Sequence, residues 1–164
     1  MMSLGGWTPV EVEGATKAKD AFGCNDVPPD RFNPPGQPKD TQRFDQYEIL
    51  TYRTEDLEPS VEVKKRGRRI YARMCEGGKF LIAQLNESGT PRGRIAIGKD
   101  ITGRGIPNLV LFEWSGGAHC CYTAHVFEIG QRFRKIAALN AQNGPLDFED
   151  LAGDGGVEFV FKDW

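Results

Sequence analysis

From Tyr47 onwards the chain runs in short apolar or alternating stretches divided by turn residues, the period-2 signature of β-strands. The candidate strands are 46–53, 60–65, 69–75, 79–85, 93–98, 107–114, 119–129, 132–139 and 157–163. Several alternate cleanly, as Phe127 and Ile129 do against Val126 and Glu128. Leu109-Val110-Leu111-Phe112 is apolar at every position, which predicts a strand buried on both faces. No stretch holds a helical period over three turns. The segment 134–142, with Ala137, Ala138 and Ala141, suits a helix as well as a strand. The pattern as a whole predicts an all-β fold, an antiparallel meander.

Residues 1–44 lack this periodicity and read as a Pro/Gly-rich N-terminal arm preceding a single all-β domain at 45–164. Five of the ten prolines fall between Pro28 and Pro38. Proline fixes φ and offers no amide donor, so this stretch is expected to cover a surface rather than join a sheet. Phe22 and Phe32 are its expected anchors.

Composition sharpens the fold class and removes some functions. The 20 glycines in 164 residues exceed the ordinary share of about 7%, as a chain with many tight turns requires. A net charge of −2 supplies no field for nucleic acid or an anionic membrane. The one cationic run, Lys64-Lys65-Arg66-Gly67-Arg68-Arg69, reads as a hairpin tip centred on Gly67 and flanked by Val61, Val63, Ile70 and Ala72. No apolar run reaches the ~18 residues of a membrane span. Met1–Gly6 lacks the cationic and then apolar pattern of a signal segment.

One element occurs twice. Asp100-Ile-Thr-Gly-Arg-Gly-Ile-Pro-Asn-Leu-Val-Leu-Phe-Glu-Trp114 aligns without gaps on Asp150-Leu-Ala-Gly-Asp-Gly-Gly-Val-Glu-Phe-Val-Phe-Lys-Asp-Trp164, an offset of 50 residues. Asp, both glycines, the central Val and the closing Trp coincide. The turn-plus-strand pattern resembles the FG-GAP/VCBS repeat family, whose motif is Asp-x-Asn-Gly-Asp-Gly-x-x-Asp followed by an apolar strand. Trp114-Ser-Gly-Gly-Ala-His-Cys-Cys-Tyr122 also resembles bacterial extracytoplasmic proteins of unknown role that carry such repeats. The resemblance covers roughly 93–164. It implies sheets like propeller blades, two of them and hence no closed propeller, with Ca²⁺ in the acidic turns and a periplasmic or extracellular location.

Ca²⁺ takes about six to eight oxygens, in such loops from positions 1, 3, 5 and 9 and a carbonyl at 7. The second turn offers Asp150, Asp154 and Glu158 with the Gly156 carbonyl, and lacks a ligand at Ala152. The first offers Asp100, Thr102 and Asn108, but Arg104 stands at position 5, where a guanidinium repels a cation and is placed to neutralise Asp100. The alternative for both is a plain Asx-type turn. An EF-hand is excluded, since position 12 is Leu111 or Phe161.

Four cysteines allow three pairings. With the oxidising compartment that the resemblance implies, Cys24–Cys75 is the expected bond, stapling the arm to a strand, and Cys120–Cys121 is a candidate vicinal pair; four reduced thiols are the alternative. His119 and His125, about 20 Å apart along a strand, cannot share a metal and read as core or loop residues. Trp114 and Trp164, each closing a repeat strand, are expected in the core. These observations point to a non-catalytic binding or structural module meeting an unknown protein or glycan. Trp7, the 64–69 hairpin and the 115–118 loop are its contact features. Two alternatives remain: a hydrolase using Glu113, Glu149, Asp150 and Asp163, and a subunit or fragment of a larger β assembly, joined to other copies through an edge strand.

Overall fold

The computed structural model describes residues 23–52, 60–75, 79–82, 97–114, 122–141, 146–153 and 157–161. They form eleven strands and no helix. A five-stranded sheet contains β1 (Cys24–Asp26), β2 (Pro38–Phe44), β3 (Tyr47–Tyr52), β4 (Ser60–Lys65) and β5 (Arg68–Cys75), in the order β1-β5-β4-β3-β2. A four-stranded sheet runs β6 (Lys79–Ile82), β7 (Asn108–Trp114), β8 (Tyr122–Ile129) and β9 (Phe133–Ala141). The last two strands, β10 (Leu146–Glu149) and β11 (Glu158–Phe161), pair with each other. Every pairing is antiparallel and neither sheet closes on itself.

Alternation along each strand explains the layering. Tyr47, Ile49, Val61 and Val63 from the first sheet bury against Leu109, Leu111, Phe127 and Ile129 of the second. The intervening positions, Val110, Ala124 and Val126, face away and are covered by Phe148 and Phe159 of the β10–β11 pair and by Val157 just before β11. The continuously apolar run at 109–112 is therefore buried on both sides, as its sequence requires. Tyr47 crosses between layers to donate to the Gly130 carbonyl at 2.7 Å, and Lys65 does so to the Gln131 carbonyl. The basic run forms the predicted tip: Lys65 pairs with Arg68 across Arg66–Gly67, both with positive φ.

The arm departs from its expectation at both ends. Cys24–Asp26 and Pro38–Phe44 are sheet strands, each pairing on one edge. Pro38 is tolerated because it opens an edge strand, where one missing donor costs nothing inside the ladder. Between them the proline segment does cover a surface. Phe32 seats on Leu50, Tyr52 and Ala72, on the outer face of the first sheet. Beneath it Glu62, fully buried, accepts from Tyr52 Oη and pairs with Arg69 and Lys64. Arg69 in turn donates to the Pro29 and Phe32 carbonyls at 3.1 and 3.0 Å and lies over the Phe32 ring. Phe22 lies outside the described residues.

Other differences are local. The ambiguous 134–142 stretch is strand β9, fixed by its ladder to β8. β10 was not foreseen, being four residues long and directly following the turn signal Asn143-Gly144-Pro145. Of the candidate 93–98, only Ile97 and Gly98 are described, and they form a turn. Gly98 is obligatory there: its φ is +93° and an added Cβ would lie 2.0 Å from the Phe44 ring.

Candidate functional site

The two acidic turns share one hydrogen bond, from the amide of position 2 to the side chain of position 9, and in both the opening aspartate accepts from amides of its own turn, though not the same ones. In the first, Asp100 accepts from Thr102 N (3.0 Å), Arg104 N (3.3 Å) and Gly105 N (2.6 Å), and Asn108 Oδ1 accepts from Ile101 N (2.9 Å). In the second, Asp150 accepts from Gly153 N (2.6 Å) and Glu158 Oε2 accepts from Leu151 N (2.8 Å). Position 1 thus holds the turn amides and position 9 holds the amide of position 2 in both copies. Gly103 and Gly153 match in backbone as well, at φ +67° and +70°. The short side chain of Asp can curl onto its own following amides, which is why Asp opens both turns.

Their capacity for a cation differs. In the first turn both Asp100 oxygens are occupied, the Thr102 hydroxyl donates back to Asp100 at 3.1 Å, and Asn108 is fully buried with its amide spent on Ile101 and the Phe127 carbonyl. The slight burial of Asp100 pushes its pKa up, and the bonds from Gly105, Thr102 and Arg104 outweigh this and hold it low. Arg104 does not neutralise Asp100 through its guanidinium, which reaches Glu128 at 3.1 Å; only its backbone amide meets Asp100. The chain itself thus supplies hydrogen bonds to the side-chain oxygens of Asp100 and Asn108. In the second turn Asp150 is exposed and Glu158 half-buried; Asp154 and Gly156 lie outside the described residues.

A second polar centre lies between the two sheets. Glu113, 1% exposed, sits on the same face of β7 as Leu109 and Leu111. Its Oε2 accepts from Arg73 Nε at 2.7 Å and meets His125 Nε2 at 2.9 Å. Arg73 also donates to Asp26 at 3.0 Å, and Asp26 accepts from Tyr71 Oη at 2.8 Å, with Lys135 at 3.9 Å. Burial pushes the Glu113 carboxyl up, but the bonds from His125 and Arg73 prevail and keep it ionised. Burial, aided by the Lys135 and Arg73 charges, lowers the His125 pKa against the pull of Glu113. His125 is then neutral with its proton on Nε2, facing the carboxylate. Glu113 Oε1 and His125 Nδ1 are buried without hydrogen-bond partners.

The Cys24–Cys75 disulfide is formed and buried beside this centre. Both sulfurs and a Glu113 carboxylate oxygen lie within 4.8 Å of one another. Bonded to each other, the sulfurs are not thiolate ligands. Cys120, Cys121, His119, Asp163, Trp164, Trp7 and the 115–118 loop lie outside the described residues. Trp114 is half-buried and stacks on Tyr122, not a core residue in the full sense. Glu149 is exposed on β10, in a different layer from Glu113. The ring of charges around Glu113 was not foreseen. Its signal was present: strand alternation puts Glu113 on the face of Leu109 and Leu111, and a carboxylate there must be paired.

Searches among known proteins return no matching family model, no matching curated protein and no matching solved structure. Among the described residues no helix is long and apolar enough to cross a membrane.

Proposed function

We propose that the chain is a non-catalytic binding or structural module of the periplasm or cell exterior, with FG-GAP-like turns and Ca²⁺ held by the turn at 150–158. The observation that carries this reading is the hydrogen bond from position 2 to position 9 that both turns make, each opened by an aspartate that accepts its own turn amides, in register with the strands that follow them. An ion at 150–158 would draw on Asp150, Asp154, Glu158 and the Gly156 carbonyl, and would fix the connection between β10 and β11. The buried disulfide is compatible with an oxidising compartment. The partner is a protein or glycan meeting the exposed loops. The hydrolase alternative is weakened by Glu113, which is buried and committed to Arg73 and His125 rather than open to substrate.

Thermal melting with Ca²⁺ and with EDTA tests the ion. At a hundredfold excess over Kd, binding adds about 2.7 kcal/mol, or roughly 5–10 °C in Tm for a domain of this size. Asp154→Ala is expected to abolish the shift and Arg104→Ala to leave it intact. An unchanged Tm across saturating Ca²⁺ would defeat the proposal.

A further inference from the structure

The disulfide joins two residues that face each other in the β1–β5 ladder, both 1% exposed. β1 is three residues long and, among the described residues, lies at the sheet edge, paired with β5. Short edge strands open locally at far lower cost than a central strand. Beside the sulfurs stands Glu113, whose Oε2 is fully engaged and whose Oε1 is a buried acceptor with no donor. A disulfide has no hydrogen to give it. Two thiols would have two.

We propose that Cys24–Cys75 is a reversible redox clasp on strand β1, and that Glu113 holds its reduced form as neutral thiols by accepting an S–H hydrogen bond. The reductant is a dithiol. Its thiolate attacks one protein sulfur, giving a mixed disulfide and releasing the other cysteine as a thiolate that takes up a proton. Its second thiol then displaces the first cysteine and leaves as a cyclic disulfide. Two electrons and two protons pass to the protein. Once reduced, the cysteines face a carboxylate in a dry environment, and both features disfavour the thiolate. The charges facing Glu113 are Arg73 from β5 and, when protonated, His125 from β8. Arg73 is shared with Asp26, which also meets Tyr71 and Lys135. Asp26 thus keeps one end of β1 docked while the Cys24 end is freed, which makes the opening local and reversible.

The test begins with the native, oxidised protein in dithiothreitol, following alkylation of Cys24 and Cys75 by peptide mapping. Reduction is expected at a rate at least about tenfold above global unfolding, because opening β1 suffices. Hydrogen exchange of the reduced protein is expected to rise at Asn25, at the freed end of β1, while Val27, whose amide donates to the Ala72 carbonyl, and β7 and β8 stay protected. In the reduced protein, the rate of alkylation of these two cysteines is expected to climb with pH past about pH 9, and in Glu113→Gln to level off at least about one pH unit lower. Reduction no faster than global unfolding, or loss of protection throughout, would overturn the clasp. Superimposable pH profiles for wild type and Glu113→Gln would overturn the role of Glu113. Should that variant not fold, Glu113→Asp, which keeps the charge and withdraws it by one methylene, is expected to lower the levelling point, and an unchanged profile there counts equally against it.

Discussion

Replacing Arg73 by Met removes one charge from the contact between the two sheets and leaves the carboxylate of Glu113 behind. The Arg73 side chain is 7% and that of Glu113 2% exposed, so water cannot replace the lost 2.7 Å contact. Breaking one side of a buried pair costs about 3–5 kcal/mol, because the remaining charge is stranded. Met fills the space of the arginine stem, so little of that cost is cavity. Here the penalty has a pH dependence. His125 is 2.9 Å from the same carboxylate oxygen, and without Arg73 it is the group among the described residues that can offer Glu113 a positive charge. Its lowered pKa owes part of its depression to the Arg73 charge, so the pKa rises in the variant and His125 takes a proton to offset the loss. The expected cost in urea unfolding of the oxidised protein is therefore about 3–5 kcal/mol at pH 8 and smaller at pH 5.5. Arg73→Met combined with Glu113→Gln removes both charges and is expected to recover more than half of it. A cost below about 1 kcal/mol, or a double variant equal to the sum of the singles, would refute the claim that this pair is one buried unit.

Three further outcomes follow from the same contacts. His125, lowered in pKa, binds fewer protons folded than unfolded below pH ~6.5, so stability falls as pH drops through that value; Glu113, also lowered, adds a second loss below about pH 4.5. His125→Asn should erase the upper step in chemical-denaturation midpoints measured from pH 8 to 5, and an unchanged profile would remove His125 as its source. Asn108→Ala strips the buried Ile101 amide and Phe127 carbonyl of partners and is expected to cost about 2–4 kcal/mol, against under about 1 for Glu158→Ala in the exposed turn, both by urea unfolding. Gly98→Ala combines a left-handed backbone with a Cβ against the Phe44 ring and is expected to lower stability by more than about 2 kcal/mol, whereas Gly67→Asn, at an open positive-φ position, should stay within about 0.5; melting temperatures separate the two.

What could be read from the sequence follows the periodicity of particular residues. Leu109–Phe112 announced a strand buried on both faces, and the structure sets it between the first sheet and the β10–β11 pair. Val61 to Ala72 announced a hairpin because its apolar flanks alternate around Arg66–Gly67. The arm was misread where short-range signals conflict with pairing that depends on distant residues. Lys39–Phe44 alternates half-buried and exposed, but only the turn at Asp45–Gln46 and the ladder to β3 make it a strand. Cys24–Asp26 has no period of its own and is held by β5, 51 residues away at the disulfide. The Glu113 centre was hidden for a related reason. Its partners come from β1, β5 and β8, and nothing in sequence spacing states that those strands converge.

The two copies of the turn show how one backbone device can be put to different ends. Both use an aspartate to gather their own amides and a residue eight positions later to tie the start of the turn to the strand. In the first copy that later residue is Asn108, whose neutral amide can be fully buried and bond in two directions, to Ile101 and to Phe127. A carboxylate there would be stranded between sheets. Arg104 reaches to Glu128, itself paired with Arg134. Asn108 and Arg104 thus both attach the first turn to β8. In the second copy Glu158 is half-buried and keeps its charge, in a turn that leads only into a two-stranded pair. A strand deep in the structure draws its order from packing on both faces, while the β10–β11 pair, half-buried at Phe148 and Phe159, would gain more from the ion proposed at 150–158. The asymmetry in charge between the copies thus parallels the asymmetry in burial of the strands they introduce.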